Sequence, residues 1–257
     1  MKNPLVSVVC TSFNKEKWIA QAIESFLMQE TSFEFEILII DDASTDASPK
    51  IIQKFANENP EKIRFFENEK NLGIAKTWKK ICNEARGKYI ARCDGDDYWI
   101  KKDKLQKQVD LLESNKDSKW CNTEFRTENE KGEILFKKSF AEKFVKMPKD
   151  FTEMLISKGF TNASTWLVDT ELMKEINNTL DTKTPDDTFD IQLELFVKTK
   201  LSTIEEPMVA YRFTTGSDSH PEDLSRIQER NQRLLQTQIK FLQKYQEKVN
   251  FLQAIKE

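Results

Sequence analysis

The chain has 257 residues, 40 of them Lys or Arg and 43 Asp or Glu, for a formal net charge of -3, with 38% hydrophobic and 32% charged side chains. This length carries one large α/β domain, alone or with a helical extension, and buries a full core. The balanced charge excludes a whole-molecule attraction to nucleic acid, and apolar runs such as Leu5 to Cys10 and Ile37 to Ile40 are far too short to cross a bilayer.

Strand and helix signals alternate up to residue 100. Leu5 to Cys10 is a β-branched run, followed by Trp18, Ile19, Ala22, Ile23, Phe26 and Leu27 at helical spacing. Phe35 to Ile40 predicts a second strand, after which Ser44-Thr45-Asp46 offers capping side chains to a helix with Ile51, Ile52 and Phe55 on one face. Ile63 to Phe66 predicts a third strand. Asn71-Leu72-Gly73 then leads into a helix with Ala75, Trp78, Ile81, Cys82 and Ala85 inward, closed by Arg86-Gly87 before a strand over Tyr89 to Cys93. Such alternation implies a parallel, doubly wound sheet with right-handed crossovers.

Beyond residue 100 the signals weaken. The pattern predicts a helix over Lys102 to Glu113, a hairpin of Trp120 to Arg126 and Ile134 to Phe136 about Glu130-Lys131-Gly132, and a helix over Phe151 to Lys158. Ala163 to Val168 and Met208 to Arg212 are strand candidates with a helix over Asp187 to Lys198 between them. From Pro221 to the end one helix is expected, its stripe of Leu224, Ile227, Leu234, Leu235, Ile239, Leu242, Tyr245, Val249 and Leu252 packed on its own domain. Asn231, Gln238 and Lys248 interrupt a heptad seam, which makes a homodimer contact there the second choice, and the interspersed Arg and Lys leave peripheral contact with an anionic membrane face open.

In an open sheet of this kind ligands bind outside the carboxyl ends of the strands. The residues there are Thr11, Phe13 and Asn14, then Asp41 and Asp42, then Asn71 and Gly73, then Asp94-Gly95-Asp96-Asp97. Three carboxylates in one turn repel by roughly 1 kcal/mol or more per close pair at an effective dielectric near 20 or above. A divalent cation removes that cost, and Mg²⁺ or Mn²⁺, which takes one or two carboxylates and fills its remaining positions with water and diphosphate oxygens, suits so sparse a site. A solvated acidic turn explains the same residues without any function. An EF-hand opening at Asp94 fails, because Trp99 and Leu105 stand where Gly and Glu are needed. A haloacid-dehalogenase-like phosphatase fails too, since its nucleophilic Asp follows the first strand, where Cys10-Thr11-Ser12-Phe13 stands. Cys10, Cys82, Cys93 and Cys121 form no Cys-x-x-Cys pair and read as buried small hydrophobes, and a lone His220 leaves carboxylates as the metal ligands.

Five stretches, Val6 to Asn14, Glu36 to Asp46, Asn71 to Gly73, Gly87 to Trp99 and Glu206 to Arg212, resemble in content and order the family 2 inverting glycosyltransferases of the GT-A fold. The resemblance covers nearly all of residues 5 to 100 and thinly covers 160 to 215. It implies an α/β GT-A fold, with a Rossmann-like, mostly parallel central sheet flanked by helices and a C-terminal helical extension. Residues 1–100 would form the nucleotide-sugar-binding part, 101–220 the acceptor-binding part and 221–257 the extension. The implied activity is transfer of a hexosyl or N-acetylhexosaminyl group from a nucleoside diphosphate, a UDP-sugar, to a hydroxyl of a glycan, lipid-linked or protein-linked acceptor, in surface glycan or polysaccharide synthesis. With no leader or transmembrane signal in the sequence, the expected setting is the cytoplasm or the inner face of its membrane.

By the same resemblance Thr11 and Phe13 line the base pocket and Asp41 accepts from the base, which matches the N–H donor and flat face of uracil. Asn14, Asn71, Lys76, Asp94 and Gly95 complete the nucleotide site, with Asp94 on the ribose, while Asp96 ligates Mn²⁺ or Mg²⁺ and Asp97 supports it. The catalytic base is Asp187, or Asp186 if the register moves by one residue. Structural roles account for some of these residues equally: Phe13 as core, Asp42 or Ser44 as a helix cap, Asp186 and Asp187 as complements to a helix dipole. Two departures stand out. Trp78 stands where many relatives carry Arg, with Lys76 as a substitute charge; Thr214 stands where many carry His, with His220 either a phosphate or metal contact or a surface residue without a role. A nucleotidyltransferase would show a Gly-rich basic loop in place of Thr11 to Lys15, and a non-catalytic binding or scaffold protein of the fold would dispense with Asp96 and Asp187 together.

Overall fold

The computed structural model describes residues 4–182, 187–214 and 222–250, with Asp187 described by its backbone alone. The first half runs β1 (Val6–Ser12), α1 (Ile19–Leu27), β2 (Phe35–Asp41), α2 (Ser48–Glu58), β3 (Ile63–Glu67), α3 (Ile74–Asn83) and β4 (Tyr89–Arg92). The second runs β5 (Tyr98–Trp99), α4 (Lys104–Ser114), β6 (Trp120–Asn129), β7 (Ile134–Phe136), α5 (Phe151–Ser157), a 3₁₀ turn (Ala163–Thr165), β8 (Leu167–Asp169), α6 (Thr170–Thr179), α7 (Asp187–Lys198), β9 (Leu201–Phe213) and α8 (Leu224–Lys244).

One sheet joins all the strands in the order β3-β2-β1-β4-β8-β6-β9-β5, with β7 paired to β6. The β3-β2-β1-β4 half is parallel; β8 is antiparallel to β4 and to β6, and β9 runs parallel to β6. Helices cover both faces, and this is why β1 and β2 read as continuous apolar runs rather than alternating ones. Val8, Cys10, Ile37 and Ile39 pack with Ile23, Ile52 and Leu105 on one face; Val9, Leu38 and Ile40 pack with Trp78, Ile81, Met173 and Ile191 on the other. The mostly parallel α/β sheet flanked by helices is the one the sequence predicts. The four cysteines are buried, as expected, and form no disulfide.

Several expectations need correction. Residues Ala163 to Val168 are not one strand: Asn162 sits at φ 53°, its side chain accepts from Ser164 N, and the resulting 3₁₀ turn precedes a strand that begins at Leu167. Helix α6, which the pattern did not announce, is capped by Asp169, whose carboxylate accepts from Leu172 N at 2.9 Å. Strand β9 is far longer than Met208 to Arg212, because its pairing with β6 runs through a bulge that absorbs Glu205 and Glu206 ahead of Pro207. At the start of α2 it is Asp46, not Asp42 or Ser44, that accepts from Ser48 N. The last helix ends at Lys244, where Tyr245 leaves helical geometry and its hydroxyl bonds Glu194. Its inward face is Leu234, Thr237 and Phe241, against α5 and α7, while Leu224, Leu235, Ile239 and Leu242 of the expected stripe are exposed. Leu252, Asp186 and His220 lie outside the described residues.

Two buried polar groups fix the layout near the strand ends. Asp42, just past β2, accepts from Asn68 Nδ2 at 2.7 Å and from Leu72 N and Gly73 N at 2.9 Å each, which ties the loop before α3 to the sheet. Asp42→Ala strands Leu72 N, while Asn68 Nδ2 keeps Thr77 Oγ1 and Gly73 N keeps Asn71 Oδ1; it is expected to lower unfolding free energy by about 1–3 kcal/mol in a urea titration, with an unchanged slope.

Lys104, wholly buried in α4, rests its ammonium 4.2 Å from the Trp99 ring centroid and donates to Gln108 Oε1 at 2.6 Å. Burial pulls that ammonium down from 10.5 to about 8, a cost to folding of roughly 3 kcal/mol. The folded chain therefore loses this proton before the unfolded chain does, so stability contributed at this site rises from pH 8 to about 10.5 and is lost again as pH falls through 8. Lys104→Met removes the cost but leaves Gln108 Oε1 without its donor; a net gain of about 2 kcal/mol at pH 7, shrinking as pH rises from 8 to about 10.5, is expected from urea unfolding across that range.

Candidate active site

Strands β1, β2 and β4 are parallel, so their carboxyl ends share one edge of the sheet. Beyond β4 the ladder to β1 continues with Cys93 N to Val9 O at 3.2 Å and Gly95 N to Thr11 O at 3.1 Å, and Asp97 N closes the acidic turn on Asp94 O at 3.0 Å. Only glycine fits comfortably at position 95, since a Cβ there would stand 3.1 Å from Ile19 Cδ1 and 3.2 Å from Thr11 O.

The three carboxylates of the turn have different surroundings. Asp97 is buried and accepts from Ser164 Oγ at 2.5 Å and from Arg212 N at 2.8 Å. Burial first, and then the charge of Asp96, hold its carboxyl well above the usual range. The Arg212 guanidinium donates to the Asp96 carbonyl and, at 2.7 Å, to Gln21 Oε1, and it lies over the Trp18 and Tyr98 rings at 5.6 and 5.3 Å. Asp94 receives Arg92 Nε at 3.2 Å and Thr11 Oγ1 at 3.5 Å, and the Arg92 guanidinium sits 4.4 Å from the centroid of Trp78. Asp96 Oδ2 is paired with Lys15 Nζ at 2.5 Å. Burial draws the Lys15 ammonium down, but the charge of Asp96 and the bond to it outweigh this and leave it raised.

Of the residues the sequence singled out, the structure brings Thr11 against this turn and joins Asn14 to the loop after Asp41. Phe13 is 43% exposed, so its ring faces solvent and is not core. Asn14, at φ 53°, accepts from Thr45 N through its side chain and donates its backbone N–H to Ser44 Oγ. Asp41 accepts from Ser44 N at 2.7 Å and Ser44 Oγ at 2.6 Å, which occupies two of the four or so lone-pair positions of a carboxylate. Asn71 Oδ1 accepts from Gly73 N at 3.0 Å, with Gly73 at φ 83°, a left-handed value that favours glycine. Lys76 is exposed on α3.

Asp187 opens α7, and that helix is tied to the acidic turn by a short relay. Gln192 Oε1, in its second turn, accepts from Thr161 N and Thr161 Oγ1 at 3.1 and 2.7 Å; past Thr161 the chain forms the 3₁₀ turn whose Ser164 Oγ accepts from Asp94 N and donates to Asp97. Sequence reasoning passed over Lys15, Arg92, Ser164 and Arg212. A charged residue in the apolar run Tyr89 to Cys93 was the available signal for Arg92, and Arg212 ends one of the matched stretches; Lys15 and Ser164 carry no signal apart from the fold. Among the described residues no three His, Cys, Asp or Glu side chains are grouped so as to hold a metal ion by themselves. Among them, too, no helix is long and apolar enough to cross a membrane.

Comparison with known proteins gives this edge a context. TuaG of Bacillus subtilis (strain 168), a putative teichuronic acid biosynthesis glycosyltransferase, is 38% identical over 109 residues, 42% of this chain and 42% of that protein. The crystal structure of S. aureus TarS 1-349 in complex with UDP-GlcNAc matches 83% of this chain and 60% of its own at a TM-score of 0.61 and 18% identity. The mannosyltransferase PcManGT from Pyrobaculum calidifontis, in complex with GDP-Man and Mn²⁺, matches 83% and 57% at a TM-score of 0.58 and 18% identity. At such identity the two structures establish a shared fold. The chain spans less than half the length of the curated relatives it matches. The family model for glycosyl transferase family 2 matches residues 7–176, more than half of the chain, and the chain belongs to that family.

Proposed function

We propose that this chain transfers a sugar from a nucleoside diphosphate, a UDP-sugar, to an acceptor hydroxyl with inversion at the anomeric carbon, in the assembly of a surface glycan or polysaccharide. The observation that carries the reading is one sheet edge at which the loop bearing the solvent-facing Phe13 ring meets the acidic turn, Thr11 reaching Asp94 and Lys15 reaching Asp96. The relative named for teichuronic acid synthesis supports the glycan assignment, and the UDP-GlcNAc held by the similar structure supports the donor class.

The residues present fit Mn²⁺ or Mg²⁺. The donors are carboxylate oxygens, Asp96 already draws a cation to 2.5 Å in the form of Lys15, and a site with one or two protein ligands leaves room for diphosphate oxygens. The Mn²⁺ held by the similar mannosyltransferase supports the same choice. Asp96 would hold the ion, with Asp94 beside it, and the bound ion supplies neutralisation of the charge that grows on the departing diphosphate.

The chain's own groups account for the rest. Phe13 offers a flat apolar face to the base, and Asp41, although wholly buried and already accepting from Ser44 through both oxygens, has further lone pairs to offer a base N–H. Asp94 accepts from a ribose hydroxyl. Asp187 takes the proton from the acceptor hydroxyl as its oxygen bonds the anomeric carbon, opposite the breaking bond to the diphosphate, so no covalent intermediate forms. Support for Asp187 is its place at the start of α7, the helix anchored through Gln192 to the segment that touches Asp94 and Asp97.

Calorimetric titration of UDP is expected to show binding that requires Mn²⁺ and disappears in Asp96→Ala; an absence of binding under every condition would favour another nucleotide or a scaffold role. Asp187→Asn is expected to lower turnover by roughly 10²–10⁴-fold while leaving UDP affinity unchanged, and retained transfer would remove Asp187 from the base role.

A further inference from the structure

The two carboxylates that the acidic turn leaves partly open each carry a cation of the chain, and those cations differ in freedom. Arg92 is 1% exposed, lies over Trp78 and holds Asp94 through Nε, so moving it would strip a buried guanidinium of its surroundings. Lys15 is 25% exposed, and its partner Asp96 is 19% exposed. Its ammonium ends a flexible four-carbon stem. Its main chain is pinned independently, with Lys15 N donating to Ser48 Oγ at 2.8 Å, so the head group can relocate while the loop stays in place. The same loop carries Phe13 and follows directly on Thr11 near the end of β1, on the side from which a nucleoside diphosphate would approach.

We infer that Lys15 is the exchangeable counter-ion of the acidic turn: it holds Asp96 in the ligand-free protein and passes its ammonium to the donor's diphosphate when a divalent cation takes that carboxylate. The inference rests on the proposed metal role of Asp96. Sharing the single negative charge of Asp96 would set the ammonium against a dication a few ångströms away, and that repulsion drives the ammonium off towards any new anion at hand. The diphosphate is that anion. Lys15 therefore opposes binding of the ion alone and favours binding of the ion with the nucleotide, and this coupling acts equally on both ligands.

The test is Mn²⁺ titration of the full chain without nucleotide, followed by UDP titration at saturating Mn²⁺, for the wild type, Lys15→Met and Lys15→Arg, with thermal unfolding of each. Lys15→Met is expected to bind Mn²⁺ alone about five- to tenfold more tightly and UDP with Mn²⁺ about five- to tenfold more weakly. Lys15→Arg, which keeps the charge, is expected to follow the wild type in both. If the wild type binds UDP only with Mn²⁺ and Lys15→Met binds Mn²⁺ no more tightly than the wild type, the counter-ion role is overturned and the metal site stands. If the wild type shows no metal-dependent UDP binding, the role of Asp96 fails first and takes this one with it. A parallel loss of both affinities in Lys15→Met with a lowered melting temperature, not shared by Lys15→Arg, would assign Lys15 to holding the loop instead and also overturns the exchange.

Discussion

Like charges packed into Asp94-Gly95-Asp96-Asp97 repel one another, and each carboxylate of this turn meets a different answer from the fold. Asp97 is withdrawn from water and given a hydroxyl and a backbone N–H. Asp94 is matched by a guanidinium fixed on an indole face, and Asp96 by a lysine at the surface. The result is a graded site, rigid at its base and adjustable at its rim. Such grading would suit the multiply charged ligand proposed for this edge, since the ion pair at the rim is the part already in contact with solvent.

The base of the site reaches deep into the domain. Ser164, which bonds both Asp94 N and Asp97, also offers its carbonyl to Trp99 Nε1 at 3.2 Å. Gln108 donates to the neighbouring Thr165 carbonyl at 2.8 Å while accepting from Lys104. The 3₁₀ turn is thus held from beneath by α4 and from the side by α7 through Thr161 and Gln192. Trp99 and Gln108 engage the backbone carbonyls of residues 164 and 165 and in turn contact the buried Lys104 ammonium, while the Ser164 hydroxyl serves Asp94 N and the Asp97 carboxylate.

How much of this was legible depended on which half of the sheet is considered. Parallel strands covered on both faces must be apolar throughout, so β1, β2 and β4 announce themselves, and the rule that ligands gather at their carboxyl ends leads straight to Thr11, Asp41 and Asp94. The second half hides its order for particular reasons. Strand β9 is interrupted by Glu205, Glu206 and Pro207 at a bulge, Asn162 takes a left-handed conformation that no apolar period reveals, and α8 buries Thr237 while exposing Leu235 and Ile239. The cations of the site escaped for a related reason. Lys15 and Arg212 meet the acidic turn only through long-range folding, and a charge beside an ordinary loop or strand end looks solvated until its partner is located.

The backbone donor that anchors Asp97 belongs to Arg212, 115 residues further along the chain. The other donor, the Ser164 hydroxyl, lies 67 residues further along, so the parallel half of the sheet, complete at Arg92, contains neither partner of Asp97. The acidic turn is thus completed only by contacts that close loops of 67 and 115 residues, the kind of contact for which chain entropy must be surrendered before any stabilisation is gained.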